Sequence, residues 1–428
     1  MLLTSYRPLV VLVFAVLLLL GFALLQLGGA SQEPTNAAKT TTPNAELVER
    51  GQYLATAGNC VSCHSTEKGE LMAGGLPFET PFGTLFSTNI SPDKETGIGL
   101  WTEQEFRNSM RHGLRPDGEH LYPAFPYTAF TKVTDADISA IFAYLNSLPP
   151  VRQTSFENSL AFPFNQRSLM GVWKTLFFEP GSFETDESQS AQWNRGAYLV
   201  EALGHCSACH SPRNMLGAEK TALAMSGGEY VDSVHEDIKR PWSAPNLTAT
   251  DRGLSLWSQS DLQDYLKTAR NGFLESFGPM NEVIMNSTSH LSNSDIEAMS
   301  VYLKNLAPIA ETAGNAPNSL TMGRGRTVYN LHCGTCHLPT GEGDPEMAPK
   351  LNGGSLVVQS DNPASMINAI LYSPKTPGPP LLPKWRHPMD EFQYLLDDDE
   401  VAAVATFIRH SWGNNAGSVT PEQVARQR

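Results

Sequence analysis

All six cysteines of this 428-residue chain fall into three identical frames: Cys60, Cys63 and His64 in CVSCH; Cys206, Cys209 and His210 in CSACH; Cys333, Cys336 and His337 in CGTCH. No thiol is left over. Cys-x-x-Cys-His is the attachment signature of c-type haem. The two thiols, spaced to face one porphyrin edge, form thioethers with its vinyl groups, and the adjacent imidazole then sits under the iron as proximal ligand. A zinc site would need two further Cys or His donors per metal, and the chain has no spare thiols. A redox-active thiol pair would need one frame inside a βαβ pattern, not three in helix-rich sequence. The frames therefore predict three covalently bound haem c groups with His64, His210 and His337 on the iron.

The elements that must position these frames repeat with them, which predicts three domains of one type. ERGQYLATAGNC, NRGAYLVEALGHC and GRGRTVYNLHC precede the three frames, each a short helical pattern with Gly51, Gly196 or Gly325 and an aromatic, Tyr53, Tyr198 or Tyr329, a few residues on. Each repeat closes with an amphipathic stretch, DADISAIFAYLNSLP, SDIEAMSVYLKNLAP or DDDEVAAVATFIRHSW, that opens on acidic or Ser residues and spaces its apolar residues by three and four. A helix running into CxxCH and a closing helix with inward aromatics resemble the class I cytochrome c fold, a mainly α architecture repeated in tandem. That resemblance implies that each glycine lets the two terminal helices cross closely; flexible loops are the other use of such glycines. The domains are expected at 44–150, 191–309 and 320–412, with a linker at 151–190 whose Trp173, Phe177 and Phe178 suggest packing, and a polar tail at 413–428.

The first two repeats share more. FSTNISPDKETGIGLWTEQEF parallels SAPNLTATDRGLSLWSQSDL, placing Asn89 and Asn246 twelve and eleven residues before Trp101 and Trp257. In such a cytochrome these Trp and Asn side chains can hydrogen-bond the haem propionates; the alternative is that each Trp only fills core between loop and helix.

Electron-transfer haems of this class take a second axial ligand, usually a methionine that raises the potential, on the loop before the closing helix. In the third repeat Met389 lies eleven residues before Glu400 and is the one Met of that window. In the second, Met280 and Met285 both lie in range, and Pro279-Met280-Asn281-Glu282 matches Pro388-Met389-Asp390-Glu391, which favours Met280. In the first, counting back twelve residues from Asp137 lands on Phe125, whose ring cannot ligate iron. Met110, His112, His120 and Met72 are the nearby donors, each equally readable as a surface or packing residue, and a five-coordinate iron capped by Phe125 is also open.

The balance of 30 basic against 44 acidic residues, net charge −14, argues against nucleic acid and anionic membrane surfaces as main partners, and 41% hydrophobic residues suffice for real cores. Residues 1–30 carry a lone Arg7, an uncharged apolar run from Leu9 to Leu27 and then Gly28, Gly29 and Ala30. This is a secretion signal, cleaved after Ala30 or retained as a membrane anchor, the anchor being preferred because the run is about long enough to span a bilayer. Everything after Ser31 is expected outside the cytoplasm.

RGxYL, CxxCH, ETPFGTLFSTNISPDKETGIGLW, DGEHLYPAFPY, NRGAYLVEALGHCSACHSPRNMLGAE and FIRHSWGN resemble the triheme cytochrome c subunits of membrane-associated bacterial dehydrogenases, over nearly the whole chain after the signal. The resemblance implies a non-enzymatic electron-transfer subunit on the periplasmic side of the inner membrane. It would accept electrons from a separate catalytic subunit of molybdenum, flavin or quinoprotein type and pass them to ubiquinone or a terminal oxidase. YPAFPY is most similar to cytochromes of molybdenum hydroxylases. The alternative is a peroxidase-like multihaem enzyme with an open first haem, favoured by Phe125 alone.

Overall fold

The computed structural model describes residues 44–235, 238–311, 314–375 and 388–428. The expected signal or anchor at residues 1–30 lies outside them. No described helix is long and apolar enough to cross a membrane.

The described residues are mainly helical, with two small antiparallel sheets among them. In the first repeat, helices α1 (Ala45–Ala57), α2 (Cys60–His64), α3 (Glu103–His112) and α4 (Asp135–Ser147) follow one another; α5 (Leu169–Phe177) lies in the segment after them. The second repeat has α6 (Ala191–Tyr198), α7 (Ser207–His210), α8 (Gln259–Thr268), α9 (Met280–Asn286) and α10 (Asn293–Lys304). The third has α11 (Ser319–His332), α12 (Gly334–His337), α13 (Ala364–Tyr372) and α14 (Asp398–Arg409). Strands β1 (Pro77–Thr80), β2 (Gly83–Phe86) and β3 (Ser159–Leu160) form one sheet in that order, with Thr80 paired to Gly83 at the hairpin turn. A second hairpin joins β4 (Gly228–His235) to β5 (Ile238–Ala244).

Three crossed helix pairs, α1 with α4, α6 with α10 and α11 with α14, carry the architecture. At each crossing a glycine faces a carbonyl. A Cβ on Gly51, Gly196 or Gly325 would stand 1.9, 2.0 or 2.1 Å from the oxygen of Ala140, Ala298 or Ala403, so these positions serve close approach and not loop flexibility. The closing helices start on matching caps: Thr134, Ser292 and Asp397 accept from the amides of Asp137, Asp295 and Glu400, contacts worth about 1 kcal/mol each.

One length difference between repeats has a local solution. Cys60 follows Arg50 by ten residues, but Cys206 follows Arg195 by eleven. The extra residue is absorbed by a π turn over Leu199–Leu203, in which the Gly204 amide reaches back to Leu199 O at 2.7 Å, five residues instead of four.

The first two repeats interlock reciprocally. Tyr53 on α1 donates to Asp295 Oδ2 at the start of α10 (2.6 Å), and Tyr198 on α6 donates to Asp137 Oδ2 at the start of α4 (2.6 Å). The same carboxylates receive Arg195 and Arg50 from their own repeats, and the capping amides of Ser292 and Thr134 donate to the two phenol oxygens. Tyr329 does not share this role. Thr327 stands at the third repeat's corresponding position, and Tyr329 turns into its own core, donating to Leu338 O (2.6 Å) and packing on Phe407 and Trp412.

The second and third repeats meet through Trp257 Nε1 donating to Gly354 O (2.7 Å), Asn368 donating to Pro241 O (2.8 Å), and Arg252 bonding to Gln359 O and Asp361. The segment after the first repeat is pinned by Trp173, buried on α5, whose indole donates to Leu216 O (2.9 Å) beside the second frame. Phe178 packs edge-on against Tyr127, and Phe177, 37% exposed, packs on the Trp173 ring at 5.6 Å.

Candidate haem-binding sites

Each CxxCH segment turns its histidine onto the loop that follows. His64 Nδ1 lies 2.7 Å from Thr88 O, His210 Nδ1 2.8 Å from Pro245 O and His337 Nδ1 2.9 Å from Pro349 O. A carbonyl only accepts, so Nδ1 carries the proton and Nε2 keeps its lone pair. Burial lowers all three imidazole pKa values, the carbonyl bonds only partly opposing it, so the rings are held neutral as iron ligands must be. This is the carbonyl-to-histidine support that fixes ring orientation at metal centres.

All six thiols are free and half-buried. Burial pushes the thiols of Cys60, Cys63, Cys206 and Cys333 up to about 12, so they stand protonated in apolar surroundings. One cavity of about 1130 Å³ runs between the first two frames, bounded by Asn59, Ser62 and Cys63 on one side and Ala208 and Cys209 on the other. It is wider than an ordinary small-ligand pocket of about 300–1,000 Å³. At the first two frames the thiols, the oriented Nε2 atoms and this shared, largely apolar cavity fit covalently held haem, and the third frame offers the same thiols and oriented Nε2.

The loop donors fall in different places. Met280 opens α9 and packs, half-buried, on the core shared by the first two repeats, whereas Met285 is 44% exposed. Met389 packs against the third repeat's core, at whose margin Cys333 also lies. Phe125 packs against Phe130 with tilted rings at 5.4 Å, and Phe130 meets the His205 ring edge-on at 5.4 Å, next to the second frame. Met110 and Met72 are buried, His112 is exposed, and His120 Nδ1 is bonded to Lys174 on α5 at 3.1 Å.

Asn89 and Asn246 hold loops. Asn89 Nδ2 donates to Val151 O (2.7 Å) and Thr96 Oγ1 (3.0 Å), and Asn246 Nδ2 donates to Ile309 O (2.9 Å) and Glu311 (2.6 Å). Both side-chain oxygens accept amides two residues on. Both asparagines tie the loop to the chain leaving the closing helix. Trp257 likewise aims its N–H at the third repeat. Sequence reasoning missed Arg50, Arg195, Asp137 and Asp295, which join the first two repeats through Tyr53 and Tyr198; the repeated RG and T/S-x-x-D patterns were their signal.

The cytochrome c family model matches residues 48–149 and 322–412. The chain is 42% identical over 382 residues to a nicotinate dehydrogenase subunit of Pseudomonas putida, which covers 86% of this chain while the chain spans only 30% of that protein. It is 37% identical to the gluconate 2-dehydrogenase cytochrome c subunit of Pantoea cypripedii, over 90% of both chains. It is 36% identical to the cytochrome c subunit of a quinone-type alcohol dehydrogenase from Gluconacetobacter polyoxogenes, over 92% of this chain and 86% of that one.

Proposed function

The chain belongs to the cytochrome c family, among the cytochrome subunits of dehydrogenases, and on that premise we propose that it is a triheme electron relay with no substrate site of its own. It takes electrons from a separate catalytic subunit and delivers them to ubiquinone or a terminal oxidase at the periplasmic face of the inner membrane. The observation that carries this reading is the threefold recurrence of one device: a CxxCH segment whose histidine Nδ1 is bonded to a loop carbonyl, behind a glycine-mediated helix crossing.

Bound haem would supply a one-electron iron couple at each site. The chain's own residues do the rest. Cys60, Cys63, Cys206, Cys209, Cys333 and Cys336 anchor the macrocycles. Thr88, Pro245 and Pro349 carbonyls hold the imidazoles of His64, His210 and His337 at a fixed tilt. Met280 and Met389 would supply the thioether donors at the second and third sites. The Tyr53–Asp295 and Tyr198–Asp137 locks tie the first two repeats to each other and so help to hold their frames at one separation.

YPAFPY and the 42% identity to a nicotinate dehydrogenase subunit both support a partner of the molybdenum hydroxylase type. Flavin and quinoprotein dehydrogenases are the other partner classes, since relatives named for gluconate and alcohol oxidation align over most of their lengths. Purification of the tagged chain from its native membrane should bring down a dehydrogenase subunit whose substrate reduces the cytochrome, and a pyridine haemochrome should give three c-type haems per chain. Isolation alone with fewer haems would defeat the reading.

A further inference from the structure

The first two repeats can be brought into register by their hydrogen bonds, independently of motif matching. Helix α3 ends on the left-handed residue Gly113 (φ 60°) and α8 on left-handed Ala269 (φ 67°). After each, an isolated bridge forms, Leu114 with His120 and Arg270 with Glu275. Then Leu121 N donates to Gly113 O (2.8 Å) and Ser276 N to Ala269 O (2.7 Å). Phe125 is four residues beyond Leu121, and Met280 is four beyond Ser276, so the two occupy one structural position.

The same register pairs a second position. Three residues before the left-handed cap lies Met110 in the first repeat, Leu266 in the second and, before Ser373 (φ 60°), Ile370 in the third. These side chains are 5%, 6% and 7% exposed, equally buried on equivalent helices. The two positions have exchanged their chemistry: loop Met with helix Leu or Ile in the second and third repeats, loop Phe with helix Met in the first. Simple gap filling accounts for neither half of the exchange, because Leu already fills the helix site in the second repeat.

The other donors near the first frame are excluded by their surroundings. Met72 has a twin in Met225. Both are left-handed, both are 3% exposed, and both amides donate to the serine hydroxyl next to the proximal histidine, Ser65 (2.9 Å) or Ser211 (3.0 Å). A position duplicated in a repeat that also has Met280 is a proximal packing site. His112 is exposed, and His120 faces α5 through Lys174. Met110, in contrast, sits on a helix end locked by its neighbour Arg111, which bonds to Thr131 O, Val133 O (2.8 Å) and Asp135 (2.6 Å).

We propose that the thioether of Met110, carried on α3 instead of on the distal loop, is the sixth ligand at the first haem, with Phe125 filling the space that the loop methionine occupies elsewhere. This rests on the triheme reading. The test is spectroscopic, on the full haem-loaded chain. Met110→Leu, which installs the second repeat's residue, should turn one haem in three high-spin, open it to carbon monoxide when reduced, and remove one third of the far-red sulfur-to-ferric band. Adding Phe125→Met to that variant transplants the second repeat's pair and should restore the low-spin spectrum. Met110→His should stay low-spin with one potential lowered. A Met110→Leu protein with three low-spin, carbon-monoxide-inert haems would overturn the assignment, as would a wild-type protein that already binds one carbon monoxide per chain. Should Met110→Leu not fold, the wild-type carbon monoxide result and the far-red band intensity, three sulfur ligands or two, still decide. A haemochrome count below three in the wild type would instead remove the triheme reading beneath it.

Discussion

Two glycines on one helix should respond to the same substitution with opposite signs. Gly323 and Gly325 both lie in α11, and replacing either by Ala gains about 0.8–1 kcal/mol of helix propensity. At Gly323 an added Cβ meets nothing within 4 Å, so Gly323→Ala should stabilise the α11–α14 pair by about that amount. At Gly325 the Cβ would stand 2.1 Å from Ala403 O and 2.7 Å from both the Ala403 carbonyl carbon and Phe407 Cβ, against ordinary contact at 3.4 Å or more. The difference, 3.4 − 2.1 = 1.3 Å, must come from moving one backbone off another, since no flexible side-chain end is in the way. Opening a gap of 0.5–1 Å forfeits a quarter to a half of each packing contact, and overpacking of this kind costs about 1–3 kcal/mol or more. Taking about 3 kcal/mol for a backbone clash and subtracting the propensity gain leaves a net loss of about 2 kcal/mol. Amide hydrogen exchange along α14 in the haem-loaded chain reads this directly: about 30-fold faster for Gly325→Ala and about 5-fold slower for Gly323→Ala. Equal behaviour of the two variants, or protection gained at Gly325, would refute the close-crossing argument.

Met280→Ala and Met389→Ala should each lower one haem potential and open one reduced iron to carbon monoxide, while Met285→Ala, on an exposed side chain, should leave the spectra unchanged; a reversed pattern between Met280 and Met285 would reassign the ligand. Burial alone would raise the Asp295 pKa, but its bonds from Arg195 and Tyr53 lower it on balance. A depressed folded-state value means that this contribution is complete above the unfolded carboxylate pKa of about 3.9 and is lost as pH falls through the folded value. Asp295→Asn should therefore weaken the chain at neutral pH and flatten its stability profile below pH about 4, as followed by unfolding across a pH series. Trp173→Ala, removing a buried indole and its bond to Leu216 O, should cost about 3–5 kcal/mol locally and make the 151–190 segment cleavable by protease at unchanged haem content; resistance equal to wild type would show that the segment is held elsewhere.

What was legible in the sequence follows the range of the interaction. The helix crossings could be read because a glycine, a helix pattern and a CxxCH frame recur within a few residues of one another, and Gly51, Gly196 and Gly325 occupy equivalent crossings. The aromatic grouped with each glycine could not be resolved. Tyr53 and Tyr198 leave their own repeats, while Tyr329, two positions later in register, stays inside its own, and only the partner surface distinguishes these uses. The loop contacts of Asn89 and Asn246 were not legible, because the carbonyls they bond lie 62 and 63 residues downstream. The π turn could be counted in advance, as one extra residue between Arg195 and Cys206, but a count does not say whether a bulge or a loop absorbs it.

The reciprocal Tyr–Asp lock also constrains how the chain is made. Tyr53 bonds to a carboxylate 242 residues further along, so the α1 face of the first repeat stays unpaired until most of the polypeptide has been delivered. While the chain is being made, that helix waits with its phenol unpaired, a state prone to wrong pairing. The first repeat is thus the earliest to emerge and among the last to be completed. Its Cys60 and Cys63 are presented to any attachment machinery in a looser chain than Cys333 and Cys336, whose repeat closes on itself within a hundred residues. A shortened protein ending before Asp295 would carry the first frame permanently in that unfinished state.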